Sequence, residues 1–123
     1  MTKLDVLKKE FQAAVLRLEE VLKQPKNEFI RDSAIQRFEF CFDLSWKFLK
    51  THLEEIHGVI VASPKKCFRE AYKLQLIEYD SLWIHMTDDR NAIAHMYKEA
   101  RADELYEKLP KYLANFQKLM SLG

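Results

Sequence analysis

The sequence predicts an all-α fold: an antiparallel four-helix bundle with one additional short helix, in a single domain over residues 1–123. Three observations lead there. Only two glycines and three prolines punctuate 123 residues, so long uninterrupted helices are expected and a strand-rich fold is not. Apolar residues recur at intervals of three and four over long stretches, the period of a helix with one buried face. Hydrophobic residues make up 48% of the chain and aromatics 12%, enough for one real core at this length.

The first helix is expected from about Lys3 to Lys23, where Leu4, Leu7, Phe11, Val15 or Ala14, Leu18 and Leu22 form one stripe. Gln24-Pro25-Lys26-Asn27 ends it, because proline disfavours helix in the residue before it. The second is expected from about Glu28 or Phe29 to His57, closed by Gly58 as a left-handed cap. Its apolar residues exceed one stripe. Ile35, Phe38, Phe42 and Leu49 line one face and Phe40, Leu44 and Phe48 widen it, so burial is expected on two sides, one of them against a second copy of the chain. Ser63 reads as an N-cap with Pro64 in the first helical position. A short third helix then runs to about Lys73 and carries the basic cluster Lys65, Lys66 and Arg69. A solvated face is the plain reading of that cluster, and a contact for RNA phosphate or an acidic partner the sharper one. Asp80 or Ser81 is expected to cap a fourth helix with Leu82, Trp83, Met86 and Ile93 in the core. Lys98–Ala102 reads as a connector or frayed end. A fifth helix is expected from about Asp103 to Met120, kinked or divided at Pro110.

Composition excludes several function classes. The net charge of +1, from 20 basic and 19 acidic residues, does not fit a binder with a large electrostatic footprint on nucleic acid. It leaves room for an RNA site built from a few local charges. Cys41 and Cys67 lack metal or redox spacing and read as reduced and packed. His52 and His57 flank Glu54 and Glu55 but not with the HExxH spacing, so they read as surface residues. No metal site and no glycine-rich phosphate loop is expected, and hence no cofactor. Asp88 and Asp89 are adjacent and diverge on a helix, so they do not form a nucleotidyltransferase metal pair. The N-terminus has no apolar signal core and no run approaches a membrane span, which reads as a cytoplasmic chain.

The densest chemistry lies in Asp88-Asp89-Arg90-Asn91-Ala92-Ile93-Ala94-His95-Met96-Tyr97. At ~100° per residue, Arg90 and His95 stand ~140° apart on one straight helix. They converge better if the helix ends near His95, or if a second subunit supplies the matching pair. An imidazole, with an ordinary pKa of ~6.5, takes or gives a proton near neutral pH. A guanidinium binds two oxygens of a charged phosphorane with a fixed fork. Together these are what metal-free RNA cleavage needs, with Asn91 orienting the phosphate or His95. The plain alternative has Arg90 paired with Asp89 or Glu99 and His95 capping the helix.

Arg90-x4-His95-x-Tyr97 resembles the Rx4HxY signature of HEPN-domain toxins encoded beside minimal nucleotidyltransferases, the group that includes the nucleotidyltransferase substrate-binding proteins. Gln36-Arg37-Phe38-Glu39-Phe40 with Trp46-Lys47 and Leu49-Lys50, then Ser63-Pro64, Arg69-Glu70-Ala71, Trp83 and Met86, follow the order of that group over nearly the whole chain. The resemblance implies a toxin of a type VII-like toxin–antitoxin pair, acting as a metal-independent endoribonuclease. Its catalytic residues would be Arg90, His95 and Asn91, and Tyr97 the site where the partner nucleotidyltransferase transfers AMP and silences it. It further implies a homodimer, within a heterotetramer or larger complex with that antitoxin, and RNA as substrate. The alternative function is a non-catalytic subunit presenting substrate or nucleotide to a separate nucleotidyltransferase. A helical adaptor is the third reading, and an intact Arg90, His95 and Tyr97 weigh against it.

Overall fold

In the computed structural model, which describes residues 1–95 and 98–122, the chain folds into five α-helices and one short 3₁₀ turn. They are α1 (Lys3–Leu22), α2 (Glu28–His57), α3 (Pro64–Lys73), α4 (Asp80–Ala92), the turn Ile93–His95, and α5 (Glu99–Met120). No strand occurs among the described residues.

Local chemistry sets most of the boundaries. Thr2 caps α1 by a capping box with Asp5, each side chain accepting from the other's backbone N–H. Asn27 caps α2 by accepting from the Ile30 N–H at 2.8 Å. Gly58 ends that helix at φ 67°, and the Val59 N–H returns to the Leu53 carbonyl. Ser63 and Pro64 start α3 as expected, with Ser63 accepting from the Lys66 N–H.

Helix α2 is the axis of the molecule. α1, α3, α4 and α5 all pack on it, and α3 packs on α4. The core is a chain of aromatic contacts that runs through all five helices. Phe11 meets Phe48 and Phe116 at 6.0 Å each, Phe38 stacks on Tyr112 at 5.5 Å, Phe42 meets Phe68 at 5.9 Å, and Phe68 stacks on Trp83 at 4.8 Å. Ring pairs at such separations add ~0.5–1.5 kcal/mol each beyond area burial.

Five sequence expectations need correction. α5 begins at Glu99, so most of Lys98–Ala102 is helix rather than connector. Ala102 is buried there, and Arg31 of α2 pairs with both Glu99 and Asp103. α5 is not divided at Pro110, which sits on its exposed side while Leu109 and Tyr112 hold the core on either side. Tyr79, not Asp80 or Ser81, is the cap residue of α4, with no side-chain bond, and Asp80 is already helical. His52 is not a surface residue: it is 8% exposed and packs beside Phe48 and His57. Phe40 does not widen the buried face, since it is 54% exposed. Phe48 is buried as expected and Leu44 partly so.

Candidate functional site

Arg90 lies in the last turn of α4 and points at α2. Its Nε donates to Asp43 Oδ1 at 3.2 Å and its Nη2 to Asp43 Oδ2 at 3.4 Å, a two-pronged pair. Nη1 stands 3.6 Å from Glu39 Oε2, an ion-pair distance beyond a good hydrogen bond. All three side chains are partly exposed. The guanidinium is therefore fixed in direction at the surface and accessible from solvent. The pairing of Arg90 with Asp89 or Glu99 that the sequence left open does not occur.

Asp43 is the residue that sequence reasoning missed, and Glu39 was given no role. A signal was present. Glu39 and Asp43 are four apart on one helix, and like charges at that spacing destabilise it by ~0.2–0.5 kcal/mol unless a cation from elsewhere answers them. Arg90, 47 residues further along, is that cation.

The α-helix gives way at Ala92, and Ile93–His95 form the 3₁₀ turn. The expected helix end near His95 is thus present. A turn of ~3.0 residues still leaves Arg90 and His95 about half a revolution apart. Arg90 faces α2, whereas His95 is exposed beyond the helix end, and Asn91 is exposed on the last turn of α4. Tyr97 lies outside the described residues. Arg31, which is buried, clasps Glu99 and Asp103 at the start of α5 and so fixes where the chain resumes after the motif.

The carboxylates beside Arg90 diverge as expected. Asp88 pairs with Lys65 of α3 at 2.7 Å. Asp89 accepts from Tyr112 and from Lys108 of α5. Burial first, and then the Asp89 carboxylate, raise the Tyr112 phenol above its ordinary value, so Tyr112 stays a donor. The motif helix is thereby tied to α2, α3 and α5 by its own charged residues. Of the basic cluster, Lys65 is committed to Asp88. Lys66 and Arg69 line an open groove of about 540 Å³ with Val59–Ala62, Glu70 and Lys73. Among the described residues no group of three or more His, Cys, Asp and Glu side chains lies close enough to hold a metal ion. No helix among them is long and apolar enough to cross a membrane.

Fold and site together define an all-helical domain that presents an oriented arginine near the end of one helix and a histidine just past it. The profile of the family described as nucleotidyltransferase substrate binding protein like matches residues 8–122, and the chain belongs to that family. Its fold is also that of a crystal structure from Thermus thermophilus, with TM-score 0.85, 34% identity, and coverage of 89% of this chain and 95% of that one. A Haemophilus influenzae structure, described as revealing the fold of a substrate binding domain of a nucleotidyltransferase, aligns with TM-score 0.76 and 27% identity over 96% of both chains. A probable ribonuclease HepT of Haemophilus influenzae is 32% identical over 84 residues, 65% of this chain and 58% of that protein. That alignment therefore spans little more than half the length of the curated relative.

Proposed function

We propose that the chain is a metal-independent endoribonuclease of a toxin–antitoxin pair, in which Arg90 and His95 carry the reaction and the partner is a small nucleotidyltransferase. The observation that carries the reading is the Arg90 guanidinium, braced by Asp43 at the surface five residues before an exposed His95. The likeness to a probable ribonuclease supports it. In the reaction, His95 takes the proton of a ribose 2′-hydroxyl as that oxygen attacks the adjacent phosphorus. Arg90 binds the phosphorane oxygens, and the 5′-oxygen leaves with a proton returned from an imidazolium. The products are a 2′,3′-cyclic phosphate and a 5′-hydroxyl. Asn91 orients the phosphate, and Lys66 and Arg69 extend the contact along the backbone. The half-revolution between Arg90 and His95 favours a homodimer in which two copies complete one site.

Tyr97 is the switch in this reading. Its phenol oxygen attacks the α-phosphorus of ATP in the partner's site and pyrophosphate leaves. The AMP diester carries one negative charge, which Arg90 attracts with ~1.5–3 kcal/mol. The adduct then occupies the place of substrate phosphate.

The test is RNA cleavage by purified protein freed of its partner. Arg90→Ala and His95→Ala are each expected to abolish it, and a chelator to leave it unchanged. Because the Arg90 pairs are partly exposed, its loss is expected to cost under ~1 kcal/mol of stability. Wild-type protein that binds a nucleotide and cuts no RNA overturns the nuclease. The second reading, a non-catalytic subunit that presents substrate to the nucleotidyltransferase, then takes its place. The family description and the second structural neighbour favour that alternative.

A further inference from the structure

Asp43 and Glu39 hold Arg90 in two different ways, and the difference assigns them different roles. A guanidinium has five N–H groups and two usable edges. Asp43 occupies the side edge, accepting from Nε and Nη2 at 3.2 and 3.4 Å. The end edge, one N–H each from Nη1 and Nη2, is left with the geometry that receives two oxygens of a phosphate. Among the described residues the acidic side chain beside Nη1 is Glu39, at 3.6 Å and partly exposed.

We propose that Asp43 is a positioning residue that aims the end edge of Arg90 at substrate phosphate, and that Glu39 is a gate that a phosphodiester must displace. The inference rests on the phosphate-binding role given to Arg90 above. Three features support it. Asp43 and Glu39 are successive turns of α2, whose flanking residues Phe38, Cys41 and Phe42 are fully buried, so the helix under both carboxylates is anchored in the core. The Asp43 pair spends two N–H groups and leaves three, enough for a two-pronged phosphate contact. The Glu39 contact is too long for a good hydrogen bond and is open to solvent, so exchanging it for a phosphate breaks little. Removing the gate also removes a negative charge beside the phosphate. The two carboxylates thus have opposite effects on the same arginine: one makes phosphate binding more productive, and the other competes with it.

Two measurements test this on the purified full chain. The first is steady-state RNA cleavage. Asp43→Asn keeps the shape but loses the two-oxygen acceptor, and is expected to lower kcat about 10- to 100-fold, as misplacement of a positioned group does. Glu39→Gln is expected to lower KM, and the split between kcat and KM is something a merely structural role would not produce. The second is AMP binding by calorimetry, which needs no catalysis. Asp43→Asn is expected to weaken it and Glu39→Gln to tighten it, with melting temperatures showing both variants folded. If wild-type protein binds AMP with these two opposite shifts and cuts no RNA, the nuclease reading fails and the roles of Asp43 and Glu39 stand. Asp43→Asn with wild-type kcat and AMP affinity overturns the positioning role. Glu39→Gln with unchanged or weaker binding overturns the gate. Should Asp43→Asn unfold, Glu39→Gln and Asp43→Glu, which retains a two-oxygen acceptor, carry the test. Asp43→Glu is then expected to bind AMP, and its failure to do so while folded overturns the positioning role.

Discussion

Cys41 and Cys67 show how burial decides chemistry one side chain at a time. Both thiols are fully enclosed, and burial pushes each up to about 12, far above the range in which a thiolate reacts. Neither is expected to react with a disulfide reagent at pH 8 until denaturant opens the core, which a thiol-titration time course with and without denaturant checks. His52 is the more consequential buried group. Burial, with His57 and Lys8 nearby, lowers its pKa below 6.5. The unfolded chain therefore binds this proton more readily than the folded one. Stability from keeping His52 neutral is complete above pH ~6.5 and is lost as pH falls from there through its folded value. Chemical denaturation from pH 7.5 to 5 is expected to show that decline, and His52→Gln to flatten it. A wild-type curve no steeper than the variant's removes His52 as the cause. Arg90 and His95 stand out as candidates in the sequence because a dense, spaced pattern marks them. Asp43 was marked only as half of a like-charged pair with Glu39, and the cation that answers the pair lies 47 residues away, where no local window reaches. His52 was misread for a similar reason: its five-residue spacing from His57 argues against a metal but says nothing of burial.

Helices were legible where backbone chemistry is written in their end residues. Ser63-Pro64 and Gly58 were read as boundaries and the structure keeps them, while Thr2 and Asn27, which the sequence reading passed over, cap α1 and α2 in the same way. The start of α5 carries no such mark. Lys98 makes no side-chain cap bond there, and what holds Glu99 and Asp103 is Arg31 from a distant helix. Among the described residues, two helix ends take a left-handed residue, and they differ in the same way. Gly58 takes φ 67° freely, while Gln75 adopts φ 62° just past α3 with a side chain that strains there. A Cβ on Gly58 meets nothing within 4 Å, so Gly58→Ala tests backbone strain alone. It is expected to cost ~1 kcal/mol. Gln75→Gly is expected to be neutral or stabilising by less than ~1 kcal/mol, because relief of strain is set against the greater freedom of glycine in the unfolded chain. Urea midpoints of the two variants measure both, and a Gly58→Ala protein as stable as wild type contradicts the strain argument.

For the molecule as a whole, the unfinished part is the outer surface of α2. The excess of apolar residues on that helix led to an expectation of burial on two sides, and the protein's own helices cover one of them. Phe29 and Phe40 remain exposed. They are eleven residues apart, which returns a helix to within ~20° of the same direction, so they share one face of α2, with Ser33 and Gln36 between them. Phe40 opens onto a groove of about 440 Å³ between α1 and α2, where Ala13, Ala14 and Leu44 alternate with Glu10, Arg17, Ser33, Gln36 and Arg37. A ring buries ~150–250 Å² when covered, and two symmetric copies would cover it twice, once from each side of a two-fold axis. The separation of Arg90 and His95 around their own helix gives the second reason to expect two copies. We therefore expect wild-type protein to be a dimer at micromolar concentration by light scattering, and Phe40→Asp to shift it to monomer without unfolding it. The nuclease reading adds a consequence: the monomeric variant is expected to lose RNA cleavage although Phe40 takes no part in the chemistry. Cleavage that survives in a monomer would show that one chain completes the site alone. A wild-type monomer would leave the exposed Phe29 and Phe40 to some other partner.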